Sequence, residues 1–409
     1  MTAKKVFLID DNKSSLDIHQ VLFKKLGYDT VKCLDSKIAL DEIKKSKPDL
    51  IVSDLMMPEV NGTDLCKAIR ADEELKDLTF IIASSKTFDY NKKEALDAGA
   101  DDYWFKPLTR EKIESGLNNL STFNLKFWGV RGTLPVPGEK SIHYGGNTNC
   151  ISLELSQDRL FIFDAGSGLK ELSNHLMSLG KKRIKANLFI SHHHWDHINA
   201  FPFFTPLYIP GNDIKVHGPY HGDLKMEQIM SDQMNGVYFP VTVREFGAHV
   251  SYVDLDPGEH DIEGVKVTSF ELTHPGGCLG YRIEHQGKSI VYMTDNELFL
   301  EDSDYFVKEA RDEFIRVIEG ADILLHDTTY TDEEYVNKVQ WGHSCVSEVA
   351  SLAHDANIKE LLLIHHDPDQ DDEAIDRKLE ACQQKLEALG SKTIVKIPTE
   401  GSTINLNEA

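Results

Sequence analysis

Along the first 120 residues, short apolar runs alternate with amphipathic stretches. KVFLI, DLIVS, TFIIAS and DYWFK have the length of buried strands, while SSLDIHQVLFKKLG, SKIALDEIKKS and TREKIESGLNNL repeat apolar residues at helical spacing. Strand and helix in strict turn predict an α/β domain with a doubly wound parallel sheet, whose ligands sit at the carboxyl ends of the strands. The pattern fades in the polar stretch GLNNLSTFN, and FNLKFWGV opens a new one. The boundary is therefore expected near residue 122, giving domains 1–122 and 123–409 with a short linker over 120–124. Strands then dominate: CISLEL, RLFIFDAG, NLFIS, IKVHG, VKVTSFEL, LGYRIEH, SIVYMT, ADILLHD, ELLLIHH and TIVKI. Helices are expected after residues 168, 197, 224, 304, 344 and 371. Two sheets packed face to face with helices outside account for this order, although other α/β layouts share the periodicity.

At 409 residues the chain is long enough for two cores. MTAKKVFLIDD turns acidic too soon for a signal peptide, and no apolar run reaches the length of a membrane span. A cytoplasmic protein without a membrane partner is the expectation. The six cysteines are scattered and read as small buried hydrophobes, not as a disulfide or thiolate framework. The net charge of −23 is uneven: residues 1–122 hold 19 basic against 22 acidic side chains, and the remainder 25 against 45. Such a surface repels long polyanions, so structured RNA is disfavoured as a partner.

In the first domain the chemistry falls at the strand ends. Asp10 and Asp11 follow the first strand, Asp54 ends the third, Ser84 the fourth, and Lys106-Pro107 closes the fifth. Carboxylates crowded in one crevice call for a cation, and magnesium suits an all-oxygen site that keeps several waters. Residues 4–120 resemble the receiver domain of two-component response regulators. Flavodoxin shares the topology but requires a hydroxyl- and glycine-rich phosphate loop, where LIDDNKSS has carboxylates. The resemblance implies phosphorylation at Asp54 by a sensor histidine kinase. It further implies magnesium held by Asp10, Asp11, Asp54 and the carbonyl of Met56, and a switch formed by Ser84, Tyr103 and Lys106.

In the second domain SHHHWDH, residues 191–197, crowds four histidines and an aspartate onto one turn. His192, His194, Asp196 and His197 follow NLFIS, His274 follows TSFEL, Asp295 follows IVYMT, and His365 follows ELLLI. Imidazole and carboxylate without thiolate suit zinc, and iron or manganese less specifically. His193, His143, His249 and His285 are read as ordinary core or surface residues, and His366 as the alternative to His365.

These residues in this order resemble the metallo-β-lactamase superfamily over 127 to about 405, implying an αββα sandwich with two divalent metals. One ion is then held by His192, His194 and His274, the other by Asp196, His197 and His365, with Asp295 shared. Asp164, in FDAGSG, is read as supporting. Paired ions activate a water and neutralise charge on substrate oxygens, so Asp196 is counted among the catalytic residues. ILLHDTTY and GHSCVSEVASLAHDANIKELLLIHH look like the phosphodiesterase branch, which includes RNase Z and cyclic-nucleotide phosphodiesterases. There His343 corresponds to the acid that protonates the leaving oxygen and Asp327 to its orienting carboxylate, where RNase Z typically has Glu. Ser344 is expected to cap the following helix.

The extended arm of RNase Z is missing between His274 and Asp295, where LGYRIEHQGKSIVYM nearly fills the interval. The segment 128–150 resembles cyclic-nucleotide phosphodiesterases, in which Arg131 and Asn147 would face substrate; the glycine-rich turns there are equally explained as plain loop chemistry. The reading is a phosphorylation-regulated, homodimeric response regulator with a dinuclear-metal phosphodiesterase output acting on a small, cyclic-nucleotide-like diester. Alternatives are a lactonase or thioesterase on the same metals, and a di-iron oxygen-sensing module, whose branch usually has glutamate at the position of His194.

Overall fold

The structure, a computed structural model, describes residues 4–407 apart from Asp77, Ser121, Gln157, Asp158 and Lys182. The chain forms two compact units, and the main division falls between Thr122 and Phe123.

The first unit alternates β1 (Lys5–Ile9), α1 (Lys13–Lys25), β2 (Asp29–Cys33), α2 (Ala39–Ser46), β3 (Leu50–Asp54), α3 (Gly62–Arg70), β4 (Thr79–Ser84), α4 (Asp89–Asp97), β5 (Asp102–Phe105) and α5 (Arg110–Leu120). The five strands are parallel in the order β2-β1-β3-β4-β5. Side chains alternate between the two faces of a strand, so a sheet covered on both sides needs apolar residues at every position. Phe7, Ile9, Ile51, Phe80 and Ile82 face Ile43 of α2, Leu65 and Ile69 of α3 and Ala95 of α4. Their neighbours Val6, Leu8, Leu50, Val52 and Ile81 face Leu16 and Phe23 of α1 and Ile113 of α5. β2, α3 and α4 add to the elements read from the pattern. β2 is only half-buried and α4 is too polar to show an apolar stripe.

The second unit contains β6 (Phe123–Gly129), β7 (Cys150–Leu155), β8 (Arg159–Phe163), β9 (Lys185–Phe189), β10 (Asp213–Gly218), β11 (His249–Asp254), β12 (Gly258–Ile262), β13 (Val265–Leu272), β14 (Cys278–His285), β15 (Lys288–Met293), β16 (Ile323–Asp327), β17 (Glu360–Ile364), β18 (Ile394–Lys396) and β19 (Thr403–Asn405). They make two seven-stranded sheets, β11-β10-β9-β8-β7-β6-β19 and β12-β13-β14-β15-β16-β17-β18. Aromatic rings fill the space between the sheets: Phe163 meets Tyr292 at 5.5 Å and Phe189 meets Tyr281 at 5.4 Å. Ile162 and Leu188, of opposite parity, turn outward to the helix Leu169–Ser178. On the other outer face Val291, Leu324, Leu361 and Leu363 are covered by the helices Lys308–Ile318, Val346–Asp355 and Asp372–Ala388. The arrangement is an αββα sandwich.

Two expectations are corrected. The helix after residue 197 is one turn, Trp195–Ile198, followed by the 3-10 turns Phe201–Phe203 and Thr205–Tyr208, because Pro202 and Pro206 remove amide donors. Ser344 does not cap the helix Val346–Asp355; its hydroxyl bonds the Asn296 carbonyl and accepts from the Leu298 amide, while Asp332 accepts from the Ser347 amide in that first turn. β11, β12, β19 and the turn of helix Asp332–Tyr335 were absent from the pattern.

Candidate metal centre

β13 runs antiparallel to β14, which runs antiparallel to β15, and β15, β16 and β17 are parallel. The carboxyl ends of β13, β15, β16 and β17 therefore share one edge, delivering His274, Asp295, Asp327 and His365. From the other sheet, Ser191 and the histidine turn follow β9. Asp164, Asp295 and His365 all adopt positive φ, at 60°, 34° and 59°. Such conformations are uncommon outside glycine and are retained where the surroundings fix them.

The side chains form three groups whose candidate donor atoms lie within 4.8 Å of one another: His192, His194, His274 and Asp295; Asp196, His197, Asp295 and His365; and Asp327, His343 and His365. Asp295 belongs to the first two. Its Oδ2 lies 3.6 Å from His192 Nε2 and 3.7 Å from His274 Nε2, and its Oδ1 lies 3.1 Å from both His197 Nε2 and His365 Nε2. Asp196 Oδ2 is 3.2 Å from His197 Nε2 and 3.4 Å from His365 Nε2.

Three of these nitrogens, Nε2 of His192, His197 and His365, are buried without a hydrogen-bond partner. An orphaned buried nitrogen is costly unless something accepts its lone pair, and borderline-soft divalent cations do so. The opposite ring nitrogens are anchored. His197 Nδ1 lies 2.8 Å from Asp164 Oδ2, which also accepts from Tyr292 and Ser191; His274 Nδ1 donates to the Gly342 carbonyl at 2.9 Å. Holding one nitrogen of an imidazole to a carboxylate or carbonyl presents the other as a ligand. The residues thus fit a pair of zinc-like ions.

The carboxylates and imidazoles also act on one another. Burial pulls His197 down, but Asp196, Asp295 and Asp164 outweigh it and hold the imidazole well above its ordinary value. Burial pushes Asp295 and Asp196 up, yet the surrounding imidazoles keep both carboxyls well below the usual range.

His343 stands beside the second group. Its ring stacks on His365 at 5.0 Å, and its Nδ1 bonds Asp327 Oδ2 at 2.8 Å. Asp327 is wholly buried and accepts on Oδ1 from the Thr329 amide and hydroxyl. The Asn296 amide reaches its Oδ2. Burial would lower His343, but Asp327 and Asp295 raise it to about 9. His366 points away, with Nδ1 2.8 Å from the buried Lys378 ammonium, so His365 is the one that joins the groups.

Arg131 and Asn147 do not face the cleft. Arg131 is fully buried and donates to the carbonyls of Gly145 and Gln370, and Asn147 is held by Glu400 and Ser167. Their neighbours do reach the centre: the Thr133 amide donates to Asp196 Oδ2 at 2.7 Å, and a Cβ on Gly132 would come within 2.3 Å of the His365 ring. Glu297 was also missed. Buried, it accepts from the Tyr335 hydroxyl and the amides of Gln340 and Gly342, fixing the loop before His343. Backbone contacts of this kind leave no mark in a sequence pattern.

In the first unit the strand-end acids also converge. Lys106 Nζ donates to Asp10 Oδ2 at 2.6 Å and to Asp54 Oδ1, while Asp54 Oδ2 accepts from the Met56 amide. Burial raises Asp54 despite Lys106, whereas Lys106, Ser15 and Asn12 together overcome burial at Asp10 and lower it. Asp11 is exposed at the rim, Ser84 Oγ accepts from the Lys86 amide, and Tyr103 is turned inward with its hydroxyl on the Lys86 carbonyl. Among the described residues, the groups of three donors within 4.8 Å all lie in the second unit. The looser acidic trio suits magnesium, which takes one or two carboxylates and keeps waters.

Residues 159–366 match the family model described as beta-lactamase superfamily domain. The chain belongs to the beta-lactamase superfamily. Residues 6–118 match the response regulator receiver domain, so this superfamily member carries a receiver domain at residues 6–118. The alkaline phosphatase synthesis transcriptional regulatory protein PhoP of Bacillus subtilis is 33% identical over 112 residues, 27% of this chain and 46% of that protein. The chain thus spans less than half the length of that relative. Among solved structures, the metallo-beta-lactamase fold protein YhfI of Bacillus subtilis is similar at a TM-score of 0.50 and 19% identity, covering 69% of this chain and 98% of that one. The short form of human tRNase Z gives 0.45 and 19% over 69% and 98%. The likeness to YhfI concerns the fold alone. No helix among the described residues is long and apolar enough to cross a membrane.

Proposed function

We propose that this superfamily member is a dinuclear-metal phosphodiesterase acting on a small diester of the cyclic-nucleotide type, under control of phosphorylation at Asp54. The reading takes 1–122 and 123–409 as its two domains and a sensor histidine kinase as phosphodonor. The observation that carries it is the His343–Asp327 pair set against the shared ligand Asp295.

His192, His194 and His274 with Oδ2 of Asp295 would hold one ion, and Asp196, His197 and His365 with Oδ1 of Asp295 the other. When bound, two such ions supply Lewis acidity and lower the pKa of a water. The protein's part is positional. Asp164 and the Gly342 carbonyl fix the rings of His197 and His274, and the Thr133 amide fixes Asp196. Asp327 holds Nδ1 of His343, leaving Nε2 as the atom that hands a proton to the departing oxygen. An alkoxide is a poor leaving group, so a placed acid there contributes about two to four orders of magnitude in rate.

The test is turnover by the zinc- or manganese-loaded full chain against a panel of cyclic mono- and dinucleotides with bis(p-nitrophenyl) phosphate. Diester cleavage is expected. Hydrolysis of lactones or thioesters with no diester turned over, unaffected by His343→Ala, would replace this reading with a carboxyl-ester hydrolase.

A further inference from the structure

The chain has four tryptophans. Trp104 and Trp128 are buried, and each indole N–H is bonded, to Asp102 and Ser152. Trp195 and Trp341 are instead 84% and 56% exposed. Both are chain neighbours of residues at the metal centre. Trp195 directly follows His194, Trp341 directly precedes Gly342, and the two are joined through the centre: His194 Nδ1 lies 3.2 Å from His274 Nε2, and His274 Nδ1 lies 2.9 Å from the Gly342 carbonyl.

The exposure is built into the backbone. Glu297 accepts from the amides of Gln340 and Gly342 at 2.7 Å each, pinning the residues on either side of Trp341, and both of those residues have positive φ. Trp195 sits in the one-turn helix, where its carbonyl accepts from the Asn199 amide at 2.8 Å. Lys338 places its ammonium 3.9 Å from the Trp341 ring centroid, adding a cation to that rim.

We propose that Trp195 and Trp341 form the base-recognition walls of the centre, stacking the planar ring of a nucleotide whose phosphate lies at the His194–His274 edge. The inference rests on the phosphodiesterase reading for the nature of the ligand. An indole one residue from a candidate ligand puts its face within reach of a base attached through a ribose to that phosphate, and Lys338 complements the nucleotide's negative charge. Every base offers a π-face, so two indoles select for the presence of a base over its identity.

Isothermal titration calorimetry on the zinc-loaded full chain, with adenosine 5′-monophosphate and ribose 5-phosphate as probes, tests the proposal. The two probes share phosphate and sugar and differ in the base. Wild type is expected to prefer the nucleotide by about tenfold or more, the usual worth of one stacked base. In Trp195→Leu/Trp341→Leu the affinity ratio should fall to about one. Both sites are exposed, so the double variant is expected to fold, and circular dichroism verifies it. Equal affinities in wild type, or a ratio retained in the variant, overturns the proposal. A dimer that falls apart on the double substitution while the ratio persists would assign the indoles to a second copy of the chain instead. Binding is read at equilibrium, so a failure to cleave any diester would sink the phosphodiesterase reading and leave this measurement intact.

Discussion

His343 is locked to Asp327 by a 2.8 Å bond from Nδ1, and Asp327 itself is saturated by the amides of Asn296 and Thr329 and the Thr329 hydroxyl. The pair can therefore point one nitrogen, Nε2, in one direction. His343→Ala is expected to slow cleavage of a diester with an alkyl leaving group by about 100- to 10,000-fold. The loss on bis(p-nitrophenyl) phosphate should be much smaller, because nitrophenolate leaves without a proton. Steady-state rates on both substrates check this, and equal losses would remove His343 from proton transfer.

Asp295 gives one oxygen to each group of imidazoles, so its removal should cost more than a terminal ligand. Asp295→Ala is expected to bind fewer ions than His274→Ala, which should retain the ion of the second group. Elemental analysis after dialysis against zinc measures the stoichiometry, with two ions expected per wild-type chain. An Asp295→Ala protein that keeps both would dismiss the shared ligand.

Much of this was legible in the sequence for a simple reason. Candidate ligands at strand ends follow apolar runs such as NLFIS and ELLLI, and both the run and the polar residue after it are visible without a structure. The receiver crevice was legible on the same ground. What stayed hidden were long-range backbone contacts: the Thr133 amide on Asp196, the Glu297 carboxylate on the loop ahead of His343, and the Gly132 approach to His365. β11 and β12 were missed because they are mostly half-buried or exposed, and β12 holds a single large apolar residue, Ile262. The resemblance of segment 128–150 left Arg131 open between a substrate contact and loop chemistry, and its guanidinium is spent on carbonyls of the interior.

Gly132 supplies a steric prediction. A methyl there would lie 2.3 Å from Cε1 of His365, a ring held between Thr329 and the stacked His343 and unable to retreat. Gly132→Ala is expected to lower stability by about 1–3 kcal/mol, as overpacking does, and to weaken the ion held by His365. Urea melts and metal titration of the variant check both effects. Normal metal affinity would show that the ring can move.

Asp54 shares Lys106 with Asp10 in the receiver crevice, and burial raises its carboxyl above the ordinary range. Wild type treated with a small phosphodonor and magnesium is expected to gain one phosphoryl group by mass spectrometry and to change its diester turnover or oligomeric state. Asp54→Ala should do neither. If both proteins respond alike, regulation through Asp54 is dismissed.

Lys378 makes a prediction about pH. Its ammonium is fully buried on the helix Asp372–Ala388, donating to the Thr328 carbonyl at 2.6 Å and facing His366 Nδ1 at 2.8 Å. Burial pulls it from an ordinary 10.5 down to about 7, against the opposing pull of Glu334, Asp327 and Asp367. Between those values the unfolded chain keeps a proton that the folded chain has released, so raising the pH favours folding across that window, and the penalty stands in full below it. Lys378→Met carries no such burden. The stability of wild type relative to Lys378→Met should therefore rise between about pH 7 and about pH 9.5, read as a difference of urea-melt free energies at the two values. Parallel pH profiles would mean that Lys378 stays charged in the fold, sustained by the carbonyls around it.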